Sequence, residues 1–265
     1  MAEKRFINLE RKLDANPELK RQYVEFMNEF IALDHLELVP EAELQIEDSK
    51  SFYLPHHCVE KDSTTTKLRI VFDASAKTSS GISLNEILHI GQKLQPDLFD
   101  HLVRFRFHKI PITGDITKMY RQIALDTPDK DFHRILWRED SDKPIQTYRM
   151  TRVTYGVASS SYQSIKSLQK SAEDAEPAIR KVILRDFYVD DLMTGEESVK
   201  QAQVLVEKLI KQLALHNFEI RKFASSEMSI VSSLPDKLKE NNVAFDISDK
   251  SHVVKTLGVR WLPVD

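Results

Sequence analysis

The sequence predicts an α+β fold, in which a sheet carries helices on one face. Apolar residues dominate the stretch 110–116, as in a buried strand, and they flank two adjacent acids at 187–193, as in a β-hairpin. Residues 199–213 instead place apolar side chains at helical spacing. Strands and helices therefore share one chain, and the paired acids lie at the tip of the predicted hairpin.

The composition is that of a globular protein. Of 265 residues, 41% are apolar and 30% are charged, which is enough to form a core. No run of about 18 apolar residues indicates a membrane span, and residues 1–5 lack the apolar stretch of a secretory signal. Cys58 is the single cysteine, so we expect no internal disulfide and a reducing compartment. The net charge of −3 neither indicates nor excludes binding to nucleic acid.

Residues 1–48 are predicted to form a polar helical segment. Asn16 can cap a helix that begins at Pro17, where the missing N–H has no cost. Pro40 ends the segment, and an acidic connector follows it. The helix would pack through residues spaced by three and four positions, namely Leu19, Tyr23, Phe26 and Phe30.

A strand pattern at 52–59 contains His56, His57 and Cys58, which suggests a zinc site. Neighbouring residues on a strand point to opposite faces, so the three side chains cannot turn to one ion. No second ligand pair follows at a suitable spacing. We therefore predict no zinc site here.

This strand and a second strand at 68–73 are predicted to form a hairpin that carries Lys61, Lys67 and Arg69. Pairing of Arg69 with Asp73 would hold the guanidinium in one orientation. An oriented Arg beside a mobile Lys is suited to binding a polyphosphate. A solvated charged hairpin is the alternative interpretation.

The middle of the chain alternates between helix and strand patterns. Asp115 lies at the end of an apolar strand, where an acid faces a cleft rather than the core. In order, the sequence predicts a loop at 76–92, a helix at 94–107, the buried strand at 110–116, and strands at 121–125, 132–137 and 145–150.

The last third begins with a loop of small residues at 154–161, which would let a ligand approach the backbone at a helix start. Thr194 and Glu197 have capping-box spacing before the long helix. The sequence further predicts helices at about 160–174, at 177–184 and to about 216, a strand at 218–223 that carries Lys222, an irregular stretch at 226–251, and a closing hairpin at 253–262.

Three acids are the candidate catalytic and metal-binding residues, namely Asp115, Asp190 and Asp191. A sheet with helices on one face would bring the hairpin tip beside the end of the earlier strand. Carboxylates are the ligands that Mg²⁺ prefers. Three of them at one sheet edge make a site for two ions, which activate an attacking oxygen and neutralise a leaving phosphate. For the adjacent pair alone, a surface turn with two solvated acids is the alternative.

The motifs resemble those of reverse transcriptases. Residues 188–191, Tyr-Val-Asp-Asp, resemble their YxDD box, and residues 115–125 resemble the motif with their first catalytic Asp. The resemblance is closer to the Pol polyprotein of the BEL/Pao branch of LTR retrotransposons and covers nearly the whole chain. Its segments are YLPHH at 53–57, KLRIVFDAS at 67–75, LQPDL at 94–98, KMYRQI at 118–123 and RILW at 134–137.

The resemblance implies a right-hand polymerase fold, with an antiparallel palm sheet backed by helices and a β-rich fingers subdomain. The function that it implies is RNA-directed DNA polymerase, a nucleotidyltransferase that binds dNTP and a primed RNA or DNA template. By this resemblance, 1–48 is an N-terminal helical segment, 49–92 and 121–152 are the fingers, and 93–120 and 153–265 are the palm, which ends in the primer-grip hairpin.

The resemblance also implies a role for each candidate residue. Asp115, Asp190 and Asp191 would hold two Mg²⁺ ions, for which Mn²⁺ can substitute. Tyr120 would stack under the sugar and exclude a ribose 2′-OH. The other implied contacts are those of Lys61 and Arg69 with the nucleotide phosphates, Asp73 with Arg69, Tyr155 and Gly156 with the nascent base pair, Lys222 with the departing pyrophosphate, and Leu257, Gly258 and Trp261 with the primer.

Two features depart from the family pattern. Many relatives have Gln where this chain has Tyr155. A thumb and an RNase H domain normally follow the primer grip, and we expect this chain to lack the thumb and to bind template weakly and with strong salt dependence. We expect no membrane partner, and a cytoplasmic location or a retrotransposon particle. The alternative function is that of a catalytically inactive, retrotransposon-derived fragment that binds nucleic acid or protein.

Overall fold

The computed structural model describes residues 1–60, 68–239, 254–256 and 259–261. Helices and antiparallel sheets occur together, which confirms the predicted α+β class. No helix in the described ranges is both long and apolar enough to cross a membrane.

The helices are α1 (Ala2–Asp14), α2 (Pro17–Ala32), α3 (Glu41–Leu44), α4 (Leu84–Ile87), α5 (Leu98–Phe105), α6 (Ser160–Lys170), α7 (Pro177–Arg185), α8 (Val199–Leu215) and α9 (Met228–Ser232). The strands are β1 (Leu36–Leu38), β2 (His56–Glu60), β3 (Leu68–Phe72), β4 (Ile110–Ile116), β5 (Arg134–Trp137), β6 (Gln146–Met150), β7 (Phe187–Tyr188), β8 (Asp191–Glu196), β9 (Ile220–Ser225), β10 (Val254–Thr256) and β11 (Val259–Trp261).

The chain folds into two compact units. The first consists of Met1–Gly91 and Tyr120–Ser161, and the second of Gln92–Met119 and Tyr162–Asp265. Each unit has its own antiparallel sheet, in the order β1-β6-β5 in the first and β7-β8-β4-β9 in the second.

The core of the first unit forms where α1 and α2 pack on the sheet and on the β2–β3 hairpin. Tyr23 and Met27 of α2 and Phe72 of β3 are fully buried there. The predicted N-terminus of α2 is confirmed, because the Asn16 side chain accepts a hydrogen bond from the Leu19 N–H at 3.2 Å.

The prediction of a wholly helical segment at 1–48 is wrong at Leu36–Leu38. This stretch is strand β1, and it pairs with β6 so that Leu36 lies opposite Met150. Three residues are too few to show a period in the sequence, and the strand exists because a distant segment supplies its hydrogen bonds.

The predicted strand at 121–125 is also wrong. A 3-10 turn spans Met119–Gln122, and Arg121 is buried. Its guanidinium lies 4.2 Å from the Phe30 ring centre and donates hydrogen bonds to Glu29 at 2.9 Å and to His35 Nδ1 at 3.1 Å. Arg121 is therefore buried because residues in and after α2 bind its guanidinium. The alternating pattern at 121–125 does not reflect a strand.

His56 is a core residue of the first unit. Its Nε2 donates to the Leu136 carbonyl oxygen at 2.9 Å, because a carbonyl can only accept, and its Nδ1 accepts from the Tyr23 hydroxyl. Both ring nitrogens are therefore engaged within the protein. Burial lowers the pKa of His56 from 6.5 to about 4.

This buried histidine should make the stability of the first unit depend on pH. Between pH 6.5 and pH 4, the unfolded chain protonates His56 and the folded chain does not, so stability should fall as the pH falls. Through His56, the free energy of unfolding should fall by on the order of 3 kcal/mol over this pH range. Denaturant unfolding at several pH values measures how the free energy of unfolding changes with pH. This change should be smaller for His56→Gln than for wild type. An equal pH dependence of the free energy of unfolding in His56→Gln and in wild type would contradict the prediction.

In the second unit, α5, α7 and α8 pack against the sheet. The predicted stripe of α8 is buried at Ala202, Val206, Leu209 and Leu213. Helix α8 begins after Ser198, whose hydroxyl accepts a hydrogen bond from the Gln201 N–H at 3.4 Å. The predicted capping box at Thr194 and Glu197 is therefore wrong, because Thr194 lies within strand β8.

Three other boundaries in the second unit differ from the prediction. The helix predicted at 94–107 is α5, which begins only at Leu98 because Pro96 disfavours helical backbone before it. The predicted irregular stretch contains α9, and the strand predicted at 218–223 runs from Ile220 to Ser225. The closing hairpin is formed by β10 and β11, whose register pairs Val254 with Trp261.

Candidate functional site

Two of the three candidate acids lie on neighbouring strands of the second unit, and the third lies in the turn before one of these strands. Asp115, near the end of β4, is directly opposite Asp191, the first residue of β8. Residues opposite each other in an antiparallel pair project to the same face, with Cβ atoms about 4.5–5.5 Å apart. Asp190 lies in the turn just before β8, and its carbonyl oxygen accepts from the Ile116 N–H at 2.9 Å. The fold thus brings the early strand and the later turn together.

Lys222 of β9 joins this group. Its Nζ lies 3.3 Å from Asp115 Oδ2, with 54% of the Lys222 side chain and 27% of the Asp115 side chain exposed. An ion pair with this exposure contributes little to stability, about 0–1 kcal/mol. Its effect is to place a positive charge on the carboxylate that faces Asp191.

A β-bulge gives Lys222 this position. Asp115 pairs with Arg221 and Thr113 pairs with Ala224, so two residues of β9 face the single residue Gly114 of β4. Lys222 has φ 55°, the left-handed conformation typical of a bulge, which turns its side chain out of the normal alternation. Gly114 leaves room for this close packing, because a Cβ there would lie 3.2 Å from the Ile220 side chain.

A buried carboxylate fixes the base of the β7–β8 hairpin. Asp186 is 2% exposed, and it accepts hydrogen bonds from Arg185 Nε at 2.7 Å and from the Thr194 hydroxyl at 2.9 Å. Its backbone carbonyl accepts from the Met193 N–H at 2.9 Å. These bonds join β8, the strand that presents Asp191, to Asp186 through Met193 and Thr194.

The donor set of this site is suited to a hard cation. Asp115 and Asp191 offer carboxylate oxygens on one face of adjacent strands. Across residues 1–60 and 68–239, no three His, Cys, Asp or Glu side chains are gathered closely enough to hold a metal ion. In this structure, the Lys222 ammonium is the positively charged group that contacts the Asp115 carboxylate.

In the first unit, Arg69 and Tyr155 form a second group. The Arg69 guanidinium lies 5.2 Å from the centre of the Tyr155 ring, which also packs on Phe72 at a centroid distance of 5.9 Å. Burial raises the pKa of the Tyr155 hydroxyl. The ring therefore supports an exposed Arg69 from beneath.

The predicted pairing of Arg69 with Asp73 is not observed between these two described residues. Asp73 Oδ1 accepts from the Ser75 N–H at 3.0 Å, two residues further along the chain. Short acidic side chains readily make such a local bond after a strand, and the Tyr155 ring takes the role of orienting Arg69.

Gly156 permits the close approach of two segments. Its φ is 92°, and a Cβ at this position would overlap the carbonyl oxygen of Phe72. Asn85 fastens the same loop, since its amide donates to the Gly156 carbonyl at 3.1 Å and accepts from the Ala158 N–H at 2.8 Å. Asn85 was not predicted. Ser83 and Glu86, which form a capping box around it, are the sequence signal that would have revealed the short helix α4.

Tyr120 lies in the 3-10 turn after Lys118, a residue with φ 50°. Its ring packs on the core of the first unit, and its hydroxyl is 3.2 Å from the Ser161 Oγ. The ring is therefore held at both ends.

The other predicted contact residues lie outside the described residues or in the closing hairpin. Lys61, Leu257 and Gly258 lie outside the described residues. Trp261 belongs to β11, and only its strand pairing is described. Among the described site residues, Asp115, Asp190, Asp191 and Lys222 belong to the second unit, and Arg69, Asp73, Tyr120, Tyr155 and Gly156 belong to the first.

The sequence matches no protein-family model and no curated protein. The fold is similar to solved structures of foamy virus protease–reverse transcriptase. One, a complex with double-stranded DNA, has a TM-score of 0.53 and 16% identity over 72% of this chain. Another, a selenomethionine-labelled mutant of the prototype foamy virus protein, has a TM-score of 0.58 and 14% identity over 77% of this chain. At this identity the likeness establishes a reverse-transcriptase-type fold.

This chain spans about a quarter of the solved chains that it matches, covering 28% of the first and 24% of the second.

Proposed function

We propose that this chain is the fingers and palm part of an RNA-directed DNA polymerase from the BEL/Pao branch of LTR retrotransposons. It would transfer a nucleotide from dNTP to the 3′-OH of a primer on an RNA or DNA template. One observation carries the proposal: Asp115 and Asp191 face each other on adjacent strands beside Asp190. This arrangement lies in a fold that solved reverse transcriptases share.

Asp115, Asp190 and Asp191 are the residues that would hold two Mg²⁺ ions. When bound, such ions activate the attacking 3′-OH and neutralise charge on the leaving phosphate. The protein's own contribution is to hold the acids in their orientation. Lys222, 3.3 Å from Asp115, lowers the repulsion between facing carboxylates before any cation arrives.

The other residues bind and orient the substrate. Lys222 carries a proton on Nζ that it can donate to the departing pyrophosphate. In the first unit, the exposed Arg69 guanidinium above the Tyr155 ring suits the nucleotide's phosphates. The Tyr120 ring, held by Ser161, suits the role of a wall against a ribose 2′-OH.

A second function is favoured by the spacing of the acidic side chains in the described residues. The described residues contain no three-carboxylate cluster of metal-binding geometry, and an ammonium group lies on Asp115. A retrotransposon-derived chain that binds nucleic acid or protein without transferring nucleotides would tolerate this arrangement. Its binding to nucleic acid would depend strongly on salt.

A primer-extension assay separates the two functions. The wild-type chain should extend a labelled primer with dNTP and Mg²⁺ in the cytoplasmic pH range, and Asp190→Asn should not. Binding of the same template-primer should be similar for both proteins, because the substitution leaves the basic residues unchanged. A folded wild-type chain that binds the template-primer without extending it would refute the polymerase proposal and favour the binding module.

A further inference from the structure

The turn that carries Asp190 has an unusual residue at its first position. Tyr188 pairs with Asp191, so Val189 and Asp190 form a two-residue hairpin loop. Val189 has φ 55°, and Asp190 is not among the residues with positive φ. A turn with positive φ at only its first central residue normally has Gly there. A β-branched side chain in this conformation is an outlier, which requires other contacts to hold it.

Gln95 supplies such contacts. Its Nε2 donates to the Phe187 carbonyl at 3.1 Å, and its Oε1 accepts from the Val189 N–H at 3.2 Å. Phe187 and Val189 are two residues apart, so these groups project from the same side of the chain. Because β7 is the edge strand of its sheet, this is the side away from β8. The Gln95 amide therefore bonds β7 as a neighbouring strand would.

Gln95 is itself fixed from outside the hairpin. It lies just before Pro96 and Asp97, the residue that precedes the first turn of α5. Helix α5 packs on β8, and the ring of its buried His101 lies 6.0 Å from the Tyr188 ring. The amide is therefore anchored by a helix rather than by the turn that it holds.

We propose that Gln95 is a positioning residue for the acidic turn. By holding Val189 in the left-handed conformation, it keeps Asp191 opposite Asp115 and Asp190 beside β4. The second turn residue, Asp190, is held separately, because its carbonyl accepts a hydrogen bond from the Ile116 N–H. Loss of Gln95 would therefore free only the first turn residue, Val189, and the hairpin itself would persist. The role in catalysis rests on the proposed polymerase function; the role in holding the turn does not.

The first test measures amide hydrogen exchange in the metal-free protein. In Gln95→Met, a variant of similar size without an amide, the Val189 N–H should exchange at least about tenfold faster than in wild type. The Met193 N–H, bonded to Asp186, should keep its wild-type rate. Gln92→Met is the matched control, since Gln92 is exposed in the same segment. Unchanged exchange at Val189 in Gln95→Met would overturn the proposal.

The second test measures single-nucleotide extension. Gln95→Met should lower kcat by about tenfold and leave the KM for dNTP within about twofold, because only the orientation of the acids changes. Gln95→Glu keeps the acceptor for the Val189 N–H and should lose less than Gln95→Met. In a Val189→Gly background the Met substitution should also cost less, because Gly adopts positive φ without strain.

The outcomes distinguish this proposal from the proposed function. Wild-type kinetics in Gln95→Met, together with faster exchange at Val189, would overturn the positioning role in catalysis. If the wild-type chain itself does not extend primers, the polymerase proposal fails. Exchange at Val189 then decides by itself whether Gln95 holds the turn. Should Gln95→Met not fold, exchange at Val189 in Gln95→Leu, which also lacks the amide acceptor, gives the same decision.

Discussion

Primer extension should be lost in Asp115→Asn, by at least about 1000-fold, which corresponds to about 4 kcal/mol of transition-state stabilisation. Asp115 lies opposite Asp191 on the neighbouring strand and forms an ion pair with Lys222. Asparagine has nearly the same shape but carries no charge, so it would bind a divalent cation poorly and would release Lys222. Rates of single-nucleotide addition at saturating dNTP measure this loss.

The stability of Asp115→Asn should change little, because its ion pair with Lys222 is partly exposed. The thermal midpoint therefore serves as the check that lost activity is not lost folding. Asp100→Asn provides a matched control, since Asp100 is an exposed acid of α5 in the same unit. Extension by a folded Asp115→Asn chain at the wild-type rate would exclude Asp115 from the reaction.

Discrimination against ribonucleotides should fall in Tyr120→Ala by roughly 10–100-fold, measured as the ratio of kcat/KM for dNTP and rNTP. The ring packs on the core of the first unit, and its hydroxyl is 3.2 Å from Ser161 Oγ. Removing the ring removes the proposed wall against a 2′-OH, which is the one group that distinguishes the two substrates.

Tyr120→Phe separates the ring from its hydroxyl. This variant keeps the wall and loses only the contact with Ser161, so it should retain most of the discrimination. Ser161→Ala should behave like Tyr120→Phe for the same reason. If the alanine variant at 120 discriminates as well as wild type does, Tyr120 is not the residue that senses the sugar.

Local chemistry explains which elements the sequence predicted well. Strand β4 has the bounds predicted for it, and the apolar stripe of α8 and the Asn16 cap of α2 also lie where the sequence places them. The hairpin predicted at 187–193 is present as well, and its turn consists of Val189 and Asp190. In each case the signal is a period or a cap contained within one segment.

The errors share a different cause. Strand β1 and the 3-10 turn at Arg121 depend on partners far away in the chain, namely Met150 for Leu36 and Glu29 for Arg121. Short segments have almost no period of their own, so distant partners decide their conformation. Contacts through a side-chain amide, such as those of Asn85 and Gln95, leave no periodic signal either.

By itself, the sequence determined the α+β class, the hairpin turn that bears two acids, and the third acid at the end of a buried strand. Only the tertiary structure decided that Asp115 stands opposite Asp191, that a bulge turns Lys222 onto Asp115, and that Gln95 bonds the edge of β7. The physical reason is that periodicity follows from hydrogen bonding and burial within one segment. Strand register and side-chain contacts depend instead on the pairing of segments that the chain brings together only when it folds.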